Sequence, residues 1–479
     1  MMDIALSLIS HTNAGKTTLA RTLLDRDIGD VRDAPHVTQE ASRHRMIESP
    51  EGDTLSLWDT PGFGDSARLA RRLAREGSPV GWFLTQVWDR YRDRAFWLTQ
   101  KAVRNVRDDA DVVLYLVNAA EAPDDAGYLA PELAVLDWIG KPVIALLNQT
   151  GPAGTTDDAE VARWRARFEV ARIRDVLPLD AFARCWVQER ALFAAIARVL
   201  SEAKRAPFAR LERAWDTRRA AQFDAAMEAI AAPIAHAAVD RAVLPDEKLL
   251  SKVGRQLGLA RADGDSAERR SEREMAARVE ADLRGCTDRL IEIHALKGGA
   301  AAEALARIAG DLRRDAPVDE GKAAVVGGLL SGALSGLGAD LAAGGLTLGG
   351  GMLAGALLGA LGGAGVARGM NVARDRTQAS LSWDDGFLDG LARVVLLRYL
   401  AVAHFGRGRG EWQAGEMPSR WRDAAQAAVD ARQSDFAALW ALRAHDSGAI
   451  EPRLRALLAA CARGVLDTLY PDAAPVAPR

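Results

Sequence analysis

The spacing of apolar residues divides the chain into a first part with strand-like runs and a second part with helical periodicity. In the first part, the run from Ile4 to Ile9 predicts a buried strand, followed by a turn from Ser10 to Thr18. A helix is predicted from Leu19 onward, because Leu19 and Leu23 lie four residues apart on one face. Strands that alternate with helices are typical of a mostly parallel sheet with helices on both faces.

Three later runs extend this α/β pattern. The alternating residues from Leu55 to Asp65 predict a strand that brings Asp59 to its carboxyl end, and another buried parallel strand is predicted by DVVLYLVNAAE. The apolar residues from Gly140 to Pro152 predict a strand that ends at Asn148. We therefore expect an α/β domain over residues 1–200.

The second part is predicted to be mainly α-helical outside one tract. Residues 201–320 and 371–479 are rich in Ala, Arg and Glu with a period of about 3.6 residues, and the chain ends in a short tail. We recognise no nucleophile motif and no His, Glu and Asp array with metal-ligand spacing in these two regions. The chemistry is therefore expected in the N-terminal domain.

The tract between these regions, residues 321–370, predicts a glycine-rich apolar hairpin. Residues 323–367 hold 15 glycines and a single charge, Asp340, and many of the glycines recur every four residues. Because a glycine costs about 1 kcal/mol against alanine in an exposed helix, such ladders favour two closely packed helices. The arms of the hairpin are predicted at residues 323–339 and 352–367.

Two interpretations of this hairpin stay open. The arms are shorter than the roughly 20 residues that span a bilayer, which favours a hairpin packed among soluble helices. Lys322 and Arg368 flank the outer ends, which is typical of a membrane hairpin with both ends in the cytoplasm. The second interpretation predicts membrane association through residues 323–367, at the inner face of the cytoplasmic membrane.

Composition narrows the classes of function and location. A chain of 479 residues predicts several domains, and a net charge of −3 gives no reason to expect a nucleic-acid partner. Three widely spaced cysteines fit neither a disulfide framework nor a zinc site. We therefore expect a cytoplasmic protein.

Candidate chemistry begins in the turn after the first strand. The stretch SHTNAGKTT is typical of a loop whose backbone N–H groups surround a phosphate at a helix N-terminus. Lys16 is predicted to reach the β- and γ-phosphates, Thr17 to ligate Mg²⁺, and Thr18 to pack or cap locally. The residues assigned to nucleotide binding in this loop are His11, Thr12, Asn13, Ala14, Gly15, Lys16, Thr17 and Thr18.

Downstream residues complement this loop. In LSLWDTPGFGD, Asp59 is predicted to hold Mg²⁺ through water, and the backbone N–H of Gly62 to meet the γ-phosphate and report its loss. Thr38, in the polar stretch APHVTQE, is the candidate threonine that closes over Mg²⁺. The predicted catalytic residues are Lys16, Asn13, Thr38 and Gly62.

The order and spacing of these elements resemble the translation-factor class of GTPases, and within it the Era and TrmE branch, over roughly residues 1–200. The resemblance implies binding of GTP and GDP with Mg²⁺, and base recognition by a loop that begins with Asn148 and Gln149. A further loop of the family corresponds to Asp180 and Ala181. The whole chain resembles bacterial proteins that join an Era-like GTPase to an uncharacterised helical domain with a glycine-rich hairpin.

Two positions depart from the family pattern. The family reads guanine with Asn-Lys-x-Asp, but Asn148 is followed here by Gln149, Thr150 and Gly151, so that ATP stays open as an alternative to GTP. Loss of such a charge-assisted pair costs about 2–3 kcal/mol, roughly a hundredfold in discrimination. Phe63 stands where many switch GTPases carry the glutamine that orients water.

The resemblance offers Asn13 as a substitute for that glutamine. In potassium-activated members of the family, an asparagine at this position holds K⁺ near the β- and γ-phosphates. A cation there neutralises charge that develops during phosphoryl transfer. A structural role, in which Asn13 bonds to the backbone of its own loop, is the alternative.

A long insertion, residues 66–110, follows the stretch LSLWDTPGFGD. Its apolar residues recur at helical spacing, which predicts either a helix packed on the protein's own core or a nucleotide-sensitive surface for the helical part or a second protomer. The stripe consists of Leu84, Val87, Trp88, Tyr91, Ala95, Leu98 and Ala102.

Three functions fit these features to different degrees. The first is a Mg²⁺-dependent GTPase switch whose helical half engages a membrane or a partner according to nucleotide state. The second is a degenerate, nonhydrolysing module that holds nucleotide as a structural element while the hairpin does membrane or assembly work. The third is tRNA modification, which follows from the TrmE likeness alone, and the chain lacks the recognisable folate-binding front and C-terminal cysteine of that enzyme.

Overall fold

The computed structural model describes most of the N-terminal part and most of the helices of the C-terminal part. The described residues are 1–12, 14–25, 42–60, 62–74, 93–149, 158–169, 173–179, 185–243, 267–296, 366–369, 380–404 and 419–471. Several predicted features lie outside them, namely Asn13, Thr38, Thr150, Gly151, Asp180, Ala181 and residues 323–365 of the hairpin.

A six-stranded sheet forms the framework of the N-terminal part. The strands are β1 (Asp3–Ser10), β2 (Ser42–Glu48), β3 (Thr54–Asp59), β4 (Val112–Asn118), β5 (Val143–Asn148) and β6 (Ile173–Pro178). Their order is β2-β3-β1-β4-β5-β6, and only β2 runs antiparallel to its neighbour in this sheet. The predicted mostly parallel sheet is therefore confirmed.

Helices cover both faces of this sheet. They are α1 (Lys16–Leu24), α2 (Ser66–Leu73), α3 (Arg94–Asp109), α4 (Leu129–Ile139), α5 (Asp158–Phe168), α6 (Trp186–Val199) and α7 (Glu202–Val239). On β4, Val112 and Leu114 belong to a cluster with residues of α1, α6 and α7. Val113 and Tyr115 belong to a second cluster with residues of α2, α3, α4 and α5. Because successive residues enter different cores, β4 is apolar throughout rather than alternating.

The phosphate-loop helix begins earlier than the sequence predicted. α1 starts at Lys16 rather than Leu19, because Gly15 is its N-cap. Lys16, Thr17 and Thr18 therefore form the first helical turn and do not belong to the preceding turn. Apolar periodicity does not mark this boundary, since these three side chains are not apolar.

The predicted apolar stripe from Leu84 to Ala102 does not lie on one helix, and this prediction was wrong. α3 begins at Arg94, and the carboxylate of its N-cap Asp93 accepts a hydrogen bond from Phe96 N at 3.1 Å. The first four residues of the stripe lie outside the described residues. α3 packs into the hydrophobic core through Phe96 and Val106. The capping Asp93 interrupts the helix within the apolar spacing, and apolar periodicity alone does not reveal a cap.

The chain divides into two compact units. One comprises residues 1–221 with 403–411 and 469–479, and the other comprises residues 222–402 and 412–468. The division falls inside α7, whereas the domain boundary predicted at residue 200 falls between α6 and α7. The predicted domain limits stay predictions.

The second unit is mainly helical. Its described helices after α7 are α8 (Ala267–Ile293), α9 (Asp385–Ala403), α10 (Ser419–Asp430), α11 (Gln433–Ala441) and α12 (Ile450–Leu469). It also contains the short antiparallel strands β7 (Arg241–Val243), β8 (Val366–Gly369) and β9 (Ser380–Trp383), in the order β7-β9-β8. These strands correct the prediction of helix around residues 241–243 and 380–383, and Val366 and Ala367 lie in β8 rather than in a helical arm. Runs of three or four residues are too short to interrupt a helical pattern that is averaged over a longer window.

Membrane association is not decided by these helices. Within the described ranges, no helix is both long enough and apolar enough to cross a bilayer. Most of the hairpin tract, residues 323–365, lies outside those ranges, so its two interpretations stay predictions.

A buried charge cluster fixes the C-terminal end of α1. Glu189 of α6 accepts hydrogen bonds from Trp215 Nε1 at 2.7 Å and from Arg219 Nη2 at 2.7 Å. Arg219 Nη2 also lies 3.0 Å from Asp25 Oδ2, directly after α1. Burial disfavours the charge of Arg219, but the carboxylates of Glu189 and Asp25 outweigh this effect and raise its pKa. The end of α1 is therefore tied to α6 and α7 by charged groups that satisfy one another, of which Glu189 and Arg219 are buried.

We predict that the three cysteines resist thiol reagents in the folded protein. Cys185, Cys286 and Cys461 are free and at most 5% exposed. Burial raises the pKa of Cys286 and of Cys461 to about 11, so both stay protonated well above neutral pH. Labelling with DTNB at about pH 8 should be negligible in native protein and should reach all three thiols in concentrated guanidinium chloride. Rapid labelling of the native chain would contradict the buried positions.

Candidate functional site: a phosphate loop at the carboxyl edge of the sheet

The candidate site lies where parallel strands end next to one another. β1 pairs with β3 on one side and with β4 on the other, and β5 pairs with β4. Chain segments that follow β1, β3 and β5 therefore emerge at one edge of the sheet. In open α/β sheets this edge is where ligands bind.

Gly15 closes the phosphate loop in a conformation that suits glycine. Its φ is +90° and its ψ is 23°, in the left-handed region. A Cβ built on Gly15 would lie 2.7 Å from Asn148 Nδ2. Asn148 itself is fully buried at the end of β5 and donates a hydrogen bond from Nδ2 to the carbonyl of Ala14 at 2.9 Å. The residue assigned to base recognition thus holds the phosphate loop.

Lys16 places a buried ammonium beneath this loop. The residue is 8% exposed, and its Nζ donates to Ser10 Oγ at 3.3 Å. Burial lowers the pKa of Lys16, although the nearby carboxylates of Asp59 and Glu132 act in the opposite direction. Among the described residues, Lys16 forms no ion pair. A buried cation that donates to a neutral hydroxyl is well suited to receive an anion such as phosphate.

Thr17 and Asp59 form a hydrogen-bonded pair beside Lys16. Thr17 Oγ1 donates to Asp59 Oδ2 at 2.9 Å, while Asp59 Oδ1 is buried and has no hydrogen-bond partner among the residues that the structure describes. Burial raises the pKa of Asp59, and the charge of Lys16 counteracts this rise. An orphaned carboxylate oxygen next to a hydroxyl fits Mg²⁺, which prefers oxygen ligands. In the described ranges no group of three or more His, Cys, Asp or Glu residues can hold a metal, so Mg²⁺ here would depend on phosphate and water for its remaining ligands.

The segment after β3 is tied to the phosphate loop. Phe63 N donates to Ser10 O at 3.0 Å, and Thr12 Oγ1 donates to Phe63 O at 3.2 Å. A Cβ on Gly62 would lie 3.1 Å from Lys16 Nζ and 3.1 Å from Thr12 Cα. Phe63 is 1% exposed and packs in the core, so its ring points away from the loop. The bare Gly62 backbone is therefore what this segment presents to Lys16.

A polar cluster that the sequence did not indicate contacts the loop through His11. Glu132 of α4 is fully buried, and its Oε1 lies 2.8 Å from His11 Nδ1. Tyr115 O–H donates to Glu132 Oε2 at 2.7 Å, and the His11 ring stacks on Tyr128 at a centroid distance of 4.3 Å. A glutamate in the first turn of a mainly apolar helix was the available signal.

The predicted site residues are only partly brought together. Lys16, Thr17, Asp59, Gly62 and Asn148 surround the phosphate loop. Two other predicted residues, Thr18 and Gln149, are not part of this group. Thr18 is buried in α1, and its carbonyl accepts a hydrogen bond from Thr22 Oγ1. Gln149 is exposed with φ +60°. Asn13, Thr38, Asp180 and Ala181 lie outside the described residues, so their assignments stay predictions.

The sheet and the loop at its edge define the N-terminal part as a P-loop GTPase domain. Residues 6–149 match the family described as 50S ribosome-binding GTPase. Residues 167–452, more than half of the chain, match the domain of unknown function DUF3482, and the chain belongs to that family. It thus joins an Era-like GTPase domain to a separate C-terminal domain, as the resemblance implied. The DUF3482 match includes β6 and α6, so it begins before the sheet is complete.

Individual relatives cover only part of the chain. GTPase Der from Myxococcus xanthus is 29% identical over 153 residues, which are 31% of this chain and 26% of that protein. Era from Aquifex aeolicus with GDP and aluminium fluoride is 19% identical, with a TM-score of 0.30, over 42% of this chain and 58% of that one. A structure of Era with MgGDPNP and a 16S ribosomal RNA segment is 18% identical, with a TM-score of 0.29 and the same coverage. The chain spans about a quarter of the length of the curated relative.

We predict that Gly15→Ala weakens nucleotide binding by more than about tenfold. A side chain at a φ of +90° costs about 1–2 kcal/mol, and the new Cβ also meets Asn148 Nδ2 at 2.7 Å. Titration with mant-GDP measures the effect. Gly127→Ala is the matched control, because a Cβ there meets nothing within 4 Å. Equal affinities for the two variants would contradict the close approach at Gly15.

Proposed function

We propose that this protein binds guanine nucleotide with Mg²⁺ at the phosphate loop, hydrolyses GTP and acts as a nucleotide switch. The observation that carries the proposal is the juxtaposition of the buried Lys16 ammonium and the Thr17–Asp59 pair in and beside the first turn of α1. The N-terminus of α1 adds a partial positive charge in the same place. Together these groups complement the β- and γ-phosphates of a nucleoside triphosphate.

Each of these groups has a separate task in the proposed reaction. Lys16 binds the β- and γ-phosphate oxygens, and Thr17, Asp59 and Thr38 would hold Mg²⁺. Bound Mg²⁺ supplies charge neutralisation between the two phosphates. Gly62 offers its backbone N–H to the γ-phosphate, which makes the segment after β3 responsive to hydrolysis.

The proposed preference for guanine rests on the resemblance to the GTPase family. Asn148 and Gln149 begin the base-recognition loop, with Asp180 and Ala181 in a second loop. Asn148 is committed to the Ala14 carbonyl, so its contribution is to hold the phosphate loop. Since the usual aspartate is absent at Gly151, we expect a smaller preference for GTP over ATP than the family pattern would give.

Hydrolysis requires help that Phe63 does not give, because its ring is buried in the core. We propose that Asn13 holds K⁺ near the β- and γ-phosphates and that the cation offsets the charge that develops there. The buried Phe63 also favours the second candidate, a nonhydrolysing module that holds nucleotide as a structural element. Measurement of GTP turnover distinguishes the GTPase from the nonhydrolysing module.

The C-terminal half is proposed to act on a membrane or a protein partner. Residues 323–367 are the proposed membrane-associating segment, and the nucleotide state is proposed to control it, with a nucleotide-dependent homodimer as a further form. The proposed location is the cytoplasm, at the inner face of the membrane. We propose no nucleic-acid partner, and tRNA modification has only the TrmE likeness in its favour.

We predict that Lys16→Met lowers the affinity for GTP and GDP by roughly a hundredfold, because a charge-assisted contact to phosphate is lost. Lys101→Met, which removes an exposed lysine of α3, should leave the affinity unchanged. Turnover of GTP and ATP by the full chain with Mg²⁺, in K⁺ and in Na⁺, should be fastest with GTP in K⁺.

Two results would overturn parts of this proposal. Unchanged mant-nucleotide binding in Lys16→Met would exclude the phosphate site. Tight binding without hydrolysis in K⁺ and Mg²⁺ would exclude the GTPase and favour the nonhydrolysing module.

We predict that the full chain sediments with anionic liposomes to different extents with GDP and with a nonhydrolysable GTP analogue. Lys16→Met should remove this difference, because the variant does not sense the nucleotide. A chain that stays in the supernatant in every nucleotide state would overturn the membrane proposal and leave the nucleotide site untouched.

A further inference from the structure

His11 links the phosphate loop to α4. Its Nδ1 lies 2.8 Å from Oε1 of Glu132, which is fully buried in the first turn of α4. Tyr115 O–H donates to the other oxygen, Glu132 Oε2, and His11 donates to Oε1 when Nδ1 carries the proton. The side chain of His11 is 34% exposed, whereas that of Glu132 is completely enclosed. The contact therefore joins a loop residue to a carboxylate with no access to water.

Several groups act on the carboxyl group of Glu132. Burial raises the pKa of Glu132 above its ordinary value, and the hydrogen bonds with His11 and Tyr115 and the charge of Lys16 reduce this rise. The position in the first turn of α4 adds the positive end of the helix dipole. Because a buried carboxylate depends on its donors, loss of His11 would leave Glu132 incompletely satisfied.

The same histidine belongs to the backbone that faces Gly62. His11 and Phe63 form an isolated parallel bridge, and Ser10 O accepts a hydrogen bond from Phe63 N at 3.0 Å. The next residue, Thr12, leaves little room beside Gly62, since a Cβ there would lie 3.1 Å from Thr12 Cα. The position of His11 thus sets how closely residues 11–12 approach Gly62.

We propose that His11 and Glu132 are positioning residues that hold residues 11–12 against Gly62 and so favour nucleoside triphosphate over diphosphate. The proposal rests on the function proposed above, in which Gly62 meets the γ-phosphate. Neither residue touches the nucleotide through this hydrogen bond. Glu132 acts on His11, and His11 acts on the loop.

The position of α4 gives this contact a second consequence. α4 also packs against α2, the helix that follows Gly62 and Phe63 along the chain. The phosphate loop therefore contacts α4 through His11, and the segment after β3 leads into a helix that packs against α4. A shift of the phosphate loop relative to α4 would strain the His11–Glu132 hydrogen bond.

The test compares the affinities of the full chain for GDP and for a nonhydrolysable GTP analogue, with Mg²⁺ present. His11→Ala and Glu132→Gln should weaken triphosphate binding about tenfold more than diphosphate binding, as expected for loss of a hydrogen bond to a buried charge. His11→Asn should stay within about threefold of the wild type, because its amide nitrogen can replace Nδ1 as a donor. Asp137→Asn, which removes an exposed carboxylate of α4, is the matched control and should behave as wild type.

The outcomes separate this inference from the proposed function. Equal weakening of both nucleotides, or no weakening in either variant, would overturn the positioning role while wild-type binding keeps the proposed function. A wild type that binds neither nucleotide would overturn both. Should Glu132→Gln fail to fold, His11 still allows the comparison between His11→Ala and His11→Asn, because its side chain is 34% exposed. A loss of triphosphate affinity in His11→Ala that is absent in His11→Asn supports the positioning role.

Discussion

The buried ammonium of Lys16 is the constraint on which the N-terminal domain depends. A cation that is 8% exposed and bonded to one serine hydroxyl is unfavourable unless negative charge lies nearby. Asp59 and Glu132 supply that charge. Both carboxylates are themselves buried, and the charge of Lys16 counteracts the rise that burial causes in the pKa of each. The parallel sheet makes this arrangement feasible, because β1, β3 and β4 bring their polar ends to one edge.

The helix that carries Lys16 is fixed at both ends. Before it, Asn148 holds the Ala14 carbonyl and leaves no room for a side chain at Gly15. After it, Asp25 meets Arg219, which Glu189 holds in turn. A helix anchored at both ends presents its first-turn N–H groups in one place, which is the preorganisation that phosphate binding requires.

The strands and the motif residues were predictable because their signals are local. Asp59 and Asn148 were expected at strand ends, and the structure places them there. The start of α1 and the break before Arg94 were not predicted, because caps are set by one backbone conformation or one hydrogen bond rather than by apolar periodicity. The role of Glu132 was also missed, since a single glutamate in an apolar helix does not reveal its partner.

The sequence by itself determined the class of the N-terminal domain, because the strand periods, the GKT triplet and the DTPG turn are each encoded within a few residues. The tertiary structure decided which distant groups satisfy each other. Asn148 meets Ala14 across 134 residues of chain, and His11 meets Glu132 across 121. Such partners depend on strand order and helix packing, and a buried polar group accepts whichever donor the fold brings within about 3 Å. Apolar spacing specifies that a residue is buried, but it does not specify what the residue is buried against.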